Sequence, residues 1–508
     1  MDQPRGDLVT VDEAPLTVEE LLAVVQGGRV ALGPAARARI DASRKVVDHA
    51  LATGERVYGV TTGVGHQKDT RVPDDELRHA QQLLVVTHAG GIGPALPSAL
   101  VRAALLVRLN GIARGGSGAS PPVAETLAAM LNAGVHPVVP RTGSVGTGDL
   151  PQMAAVAMVA IGMGSAEHAG EVLPGGEALR RAGIDPLVLQ PKDGLALMSA
   201  NGISVGHGAL VVARAARAAG AADVAAALSL EATGGDPSFA LPAVGRAKPF
   251  PGQVEACRSL RAALEGSYLL GPGAPASVQD PLSFRVAPQV HGALRELLAF
   301  ARRAVEVELN SQSDNPLVSV EDQAMVHNGN FHPMVLALAF DGLRGAVAHV
   351  GQLSERRMSH LWNAFFRQVA SLGGPVGGGT LPELPGLTLR YPAAAAFAEL
   401  RQLAAPATLD VPPLDLDVED HATAAPLSVR KADEALGLLE DVLAVELLLA
   451  RDVLATMPQR PALGAGTGAA LGLVEEATAA ATPPRSPGDV HRALRSRFPP
   501  GGSVAPAP

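Results

Sequence analysis

The octet GSVGTGDL at residues 143–150 carries a glycine-rich turn into the start of a helical pattern. Asp149 is placed to cap a helix beginning at Leu150, and Gln152, three residues on, to complete a capping box. Pro151 is compatible with a first helical turn. Free N–H groups and the helix dipole favour negative charge at such a terminus. A tight turn ahead of an ordinary helix accounts for the same residues. A second glycine-rich stretch, VYGVTTGVG at 57–65, holds Tyr58, one of three tyrosines, in a loop where no core packing is expected. His327 and His332 stand five apart in HNGNFHP, but no third ligand is evident, so no metal site is expected.

The surrounding elements are mostly helical. LTVEELLAVV (16–25) has helical apolar spacing behind a Thr17/Glu20 capping box. Residues 35–54, closed by Gly54, and residues 74–93 and 97–115 read as further helices, and 57–70 as a loop. Three long patterns follow at 283–310, 332–365 and 428–457, the last with Leu436, Leu439, Leu443, Leu447, Ala450 and Leu454 spaced by threes and fours. No repeat and no βαβ series is visible. The expected architecture is mainly α: an N-terminal site-bearing region (1–200), a central bundle of long helices (201–460), and a C-terminal helix with a disordered tail (461–508). Residues 371–386 read as a flexible connection.

Composition narrows the partners. Acidic residues exceed basic ones, 50 to 41, and no basic cluster stands out, so neither nucleic acid nor an anionic membrane is expected. The single cysteine, Cys257, excludes an internal disulfide framework and suits a reducing, cytoplasmic compartment. No signal-peptide pattern and no uninterrupted apolar span are read in the chain.

Ten segments in register, among them VYGVTTGVG, LLVVTHAGGIG, GSVGTGDLPQMA, QDPLSFRVAPQVHG, ELNSQSDNPLV, GNFHP and EDH, closely resemble the histidine and phenylalanine ammonia-lyase family from about residue 16 to about 455. The resemblance implies a mostly α-helical ammonia-lyase fold and a homotetramer whose active sites combine residues from several subunits. It also implies a small-molecule substrate and roles for particular residues. Tyr58 matches the catalytic base and Arg285 the residue that grips the substrate carboxylate. Gln289 and Asn310 match network residues, and Phe331 a residue packed on the substrate side chain. His88 and Glu419 match the pair typical of histidine-specific members, pointing to an imidazole or other polar ring.

In that family an Ala-Ser-Gly tripeptide cyclises to the electrophile methylidene-imidazolone (MIO). The matching residues here are Gly146, Thr147 and Gly148, in a loop one residue shorter. One residue spans about 3.3–3.6 Å of chain, whereas catalytic groups tolerate about 0.5 Å. The family's Tyr in QDPYS is Leu282, and its LLNGT has become LMSANG, leaving either Asn201 or Ser199 in place of the supporting Asn. These departures lead to the expectation that no MIO cofactor is present. Tyr58 would then move a proton, Arg285 hold a carboxylate, and Glu419 or His88 serve as second acid or base, in an isomerisation, elimination or conjugate addition. Two alternatives stand beside it: a MIO-type ammonia-lyase or aminomutase with a methyl-bearing ring from Thr147, and a non-catalytic binding homologue.

Overall fold

The computed structural model describes residues 8–275, 278–371, 384–409, 411–481 and 486–497. Helices dominate, and the strands make small sheets of two or three among the described residues. Local sequence signals account for many helix ends. Thr17 and Glu20 form the capping box, with Glu20 N–H donating to Thr17 Oγ1 at 3.1 Å and Thr17 N–H to the Glu20 carboxylate at 2.8 Å. The helix Pro34–Thr53 ends on Gly54 at φ +73°, a conformation that suits glycine.

Other elements differ from the sequence reading. The helix expected over 74–93 is Leu77–His88, because AGGIG cannot extend it; Ile92–Ala95 then pairs antiparallel with Pro140–Thr142. The pattern over 283–310 divides into Leu282–Arg285 and Ala287–Leu309, and Pro288 lies in the first turn of the second helix. Leu8–Val11 runs parallel to Arg29–Leu32 around the helix Val18–Val25, a single βαβ crossover. Those strands are four residues each, too short for a periodicity to stand out. The tail 499–508 and most of the 371–386 connection lie outside the described residues.

The chain forms two compact units, each discontinuous: Met1–Val211 with Ala301–Phe340 and Pro406–Arg430, and Val212–Phe300 with Asp341–Ala405 and Lys431–Pro508. The sequence reading cut the chain into successive blocks, whereas packing follows helix faces and gathers segments distant in sequence.

In the first unit the helix Ser98–Ala113 is buried on almost every side. The helix beginning at Gly202 crosses it at Gly206, where a Cβ would come within 2.9 Å of the Ala104 nitrogen. In the second unit Leu230, Leu260, Leu264, Leu269 and Phe284 form an apolar cluster. Arg357 and Glu446, both fully buried there, pair at 2.6 Å. Two helical stretches, Asp193–Thr233 and Met334–Ser371, are long and apolar enough to cross a membrane by length and composition. The apolar windows are 89 % and 56 % buried, as core helices are.

Candidate active site

The helix predicted after GSVGTGDL forms, spanning Leu150–Ala160, but its predicted cap does not. Asp149 makes no side-chain bond to its own helix. Its carboxylate accepts from Ser204 N–H at 2.8 Å and Ser204 Oγ at 3.0 Å, capping the first turn of the helix that begins at Gly202. Gln152 donates instead to the carbonyls of Pro140 and Arg141. Asp149 N–H donates to the Ala200 carbonyl at 2.8 Å, so the LMSANG segment packs on the GSVGTGDL loop. Burial pushes the Asp149 carboxyl up to about 6.

The loop itself is held tightly. Gly146 and Gly148 lie at φ +88° and +82°. The Gly146 carbonyl accepts from Thr423 Oγ1 at 2.8 Å, and Gly146 N–H donates to Ser144 Oγ at 2.9 Å. A Cβ on Gly146 would lie 2.2 Å from Thr423 Oγ1, so this position admits only glycine. Thr147 is half-buried, and its hydroxyl faces the Glu419 carboxylate at 3.5 Å.

Tyr58, Thr147, Phe331 and Glu419 share one cavity of about 650 Å³ in the first unit, together with Asn315 and His327. The Tyr58 hydroxyl accepts from Gly65 N–H at 2.9 Å, and its ring meets His327 edge-on, centroids 6.2 Å apart. A phenol acting as a base needs a lowered pKa, but burial raises that of Tyr58, Glu419 and Asp415 add to the rise, and only the Gly65 N–H opposes them. Desolvation of a phenolate outweighs one hydrogen bond. Glu419 is likewise raised, first by burial and then by Asp415.

His88 ends its helix with Nδ1 bonded to the Leu84 carbonyl at 2.8 Å. That partner requires the proton on Nδ1. The His88 ring bears on the Glu419 carboxyl electrostatically. Asn201 is buried, with neither amide atom at hydrogen-bonding geometry, yet close enough to Glu308 to hold that carboxyl down against burial, which pushes it up to about 7. Ser199 Oγ accepts from Asn315 N–H at 3.3 Å. Asn310 is not a wall of the Tyr58 cavity: its amide bonds Leu16 N–H at 2.8 Å and the Leu16 carbonyl at 2.9 Å, and it receives Arg114. Arg285 and Gln289 belong to the second unit, where Arg285 Nε, Gln289 Oε1 and Ser283 Oγ are buried without partners. Leu282, in place of the family tyrosine, is 62 % exposed.

Several polar groups of this region escaped the sequence reading. His332 Nε2 and His421 Nδ1 lie 2.7 Å apart, and both rings line the Tyr58 cavity. Asp415 bonds the backbone and ring of His66. The signal for His332 was present in HNGNFHP, but it was weighed only as a metal ligand.

A mainly α chain with a tyrosine, a glycine-rich electrophile-type loop and a carboxylate around one cavity defines a lyase-type enzyme. The aromatic amino acid lyase family matches residues 16–476, and the chain belongs to it. It is 41 % identical to a histidine ammonia-lyase of Gloeobacter violaceus over 92 % of this chain and 90 % of that protein. The fold is similar to ergothionase, an ergothioneine-degrading enzyme of Treponema denticola (TM-score 0.88, 26 % identity, 97 % and 99 % of the two chains). It is also similar to tyrosine aminomutase of Streptomyces globisporus (0.86, 31 %, 96 % and 96 %) and to histidine ammonia-lyase of Trypanosoma cruzi (0.83, 30 %, 96 % and 94 %).

These relatives correct the expectation of a chain without a cofactor. Identity of 41 % to a histidine ammonia-lyase across nine-tenths of both chains sets this protein among the enzymes whose loop chemistry the resemblance carries. The local structure is compatible with the group. Neither Gly146 nor Gly148 has a side chain that ring closure must displace, and an orphaned amide, Asn201, follows the Ala200 carbonyl that anchors Asp149.

Proposed function

We propose that this enzyme eliminates ammonia from an aromatic or imidazole α-amino acid, with L-histidine as the favoured substrate. The relation between Thr147 and Glu419 across the Tyr58 cavity carries this reading. A ring formed from Gly146, Thr147 and Gly148 would supply an electrophile that draws electrons from the substrate and so acidifies its β-proton.

The chain's own residues supply the rest. Tyr58 Oη accepts the β-proton as the C–N bond breaks, leaving an α,β-unsaturated acid and ammonia. Its raised pKa keeps the phenol protonated in the free site, so the phenolic proton passes to solvent before the β-proton is taken, a loss that the charge of the incoming α-ammonium favours. Phe331 packs on the substrate ring. The Glu419 carboxylate and His88 Nε2 meet the polar edge of an imidazole. Arg285 grips the carboxylate bidentately, as guanidinium does. The assembly that goes with this reading is the homotetramer the family resemblance implies, in which another copy completes each site.

The test is incubation of the purified protein with L-histidine, L-tyrosine and L-phenylalanine, following ammonia and the ultraviolet absorbance of the conjugated acid. Ammonia release from L-histidine supports the reading. A β-amino acid product without ammonia would make the enzyme an aminomutase, and no turnover of any of the three would overturn the proposal.

A further inference from the structure

Two segments meet beside the Tyr58 cavity, and one carboxylate joins them. In the first, Gly65 N–H donates to Tyr58 Oη at 2.9 Å. The next residue, His66, donates its backbone N–H to one Asp415 oxygen at 2.9 Å and sets its ring Nδ1 2.5 Å from the other. Both oxygens of an acceptor-only group are thereby used on one residue. Asp415 sits so close over Gly65 that a Cβ there would be 1.9 Å from Asp415 Oδ2, and Gly65 is at φ +57°.

The second segment is the turn that carries Asp415. Leu414 and Glu419 exchange backbone hydrogen bonds at 2.9 and 3.1 Å. Between them Asp415, Leu416 and Asp417 stand at φ +51°, +54° and +64°. Three successive non-glycine residues in the left-handed region persist only where surrounding contacts over-determine them. Leu416 is 81 % exposed and contributes no packing to hold the turn. The Asp415 contact with His66, the Leu414–Glu419 bridge and a Val418 N–H bond to the Asp415 carbonyl at 3.2 Å hold it. The bridge ends on Glu419, whose carboxylate faces Thr147.

We propose that Asp415 is a positioning residue for this site, clamping the Gly65–His66 backbone so that Gly65 N–H stays on the Tyr58 hydroxyl while the same strained turn sets Glu419 against Thr147. The proposal rests on the reading of Tyr58 as the base. It assigns no contact between Asp415 and substrate. His66, whose ring pairs with Asp415, keeps that carboxyl below its usual range, so the clamp is charged at neutral pH.

The experiment compares Asp415→Ala with Asp415→Asn in the full-length enzyme. Asparagine keeps an acceptor for the His66 N–H, and alanine keeps none. With alanine, kcat falls by about tenfold or more while KM changes little, and amide exchange accelerates in the peptide holding Gly65 and His66. With asparagine, most of the loss is recovered. In a Tyr58→Phe background Asp415→Ala costs less than it does in the wild type, because the part of its effect that acts through Tyr58 is already lost. Wild-type kcat and unchanged exchange in Asp415→Ala would overturn the clamp. If Tyr58→Phe keeps full activity, the assignment of the base fails, and the exchange measurement still decides the clamp by itself. Should Asp415→Ala not fold, Gly65→Ala, whose Cβ enters the carboxylate, must give the same kcat loss and the same faster exchange for the proposal to stand.

Discussion

Asp149 accepts both the backbone N–H and the hydroxyl of Ser204, at 2.8 and 3.0 Å, and so caps the helix that begins at Gly202 rather than its own. This bond anchors the residue that follows Gly146, Thr147 and Gly148, and it leaves a fully buried carboxyl behind the loop.

That burial has a pH signature. Asp149 is pushed up to about 6 and Glu308 to about 7, with the Asp149 charge contributing to the second. A carboxyl whose folded pKa is raised stabilises the protein fully at low pH, and that contribution is lost as pH rises through the folded value. Thermal stability is therefore expected to decline between about pH 4 and 7, from the ordinary carboxyl range up to the raised values. Glu308→Gln should flatten that decline, measured by differential scanning fluorimetry across the range. A slope unchanged in the variant contradicts the assignment to Glu308.

Glu419 should set ring preference. Glu419→Gln removes a carboxylate that faces Thr147 and bears on His88, so kcat/KM for L-histidine should drop by about 10²-fold, with a smaller drop for L-phenylalanine. Equal losses on both substrates would mean that Glu419 does not read the ring.

Thr147 should be consumed in making the electrophile. Ring closure and dehydration remove two waters, so the intact mass of the wild-type chain is expected to fall short of the sequence mass by that amount. Thr147→Ala should have its full mass and no turnover. A full mass in the wild type ends the ring proposal.

Gly146 should not tolerate alanine, although the family pattern has one there. The new Cβ would lie 2.2 Å from Thr423 Oγ1 and 2.8 Å from the Ala425 nitrogen, at a φ of +88°. Gly146→Ala should cost about 1–3 kcal/mol in a urea titration and abolish ammonia release. Trimming Thr423 to alanine should restore little, because the backbone contact remains.

In the second unit, Glu446 receives Arg357, Ser354 and Ser229, all buried. Glu446→Gln leaves the Arg357 charge uncompensated and should cost about 3–5 kcal/mol. Replacing both members of the pair, as Arg357→Met with Glu446→Leu, should cost much less in the same denaturant titration.

The sequence alone determined the features that depend on a few neighbouring residues. The Thr17–Glu20 box, the Gly54 stop and the long helices follow from capping and periodicity within one or two turns. The ordered motifs were enough to identify the family and to nominate Tyr58, Thr147, Phe331 and Glu419, which do line one cavity. Only the tertiary structure decided which helix Asp149 caps, which way burial moves the Tyr58 proton, and that Asp415 grips His66 from 349 residues away. It also placed Asn310 in a network with Leu16 and Arg114. The physical reason is reach. A capping rule or a helical period acts through covalent neighbours, whereas desolvation and a distant carboxylate's partner exist only once packing has brought remote segments to within a few ångströms.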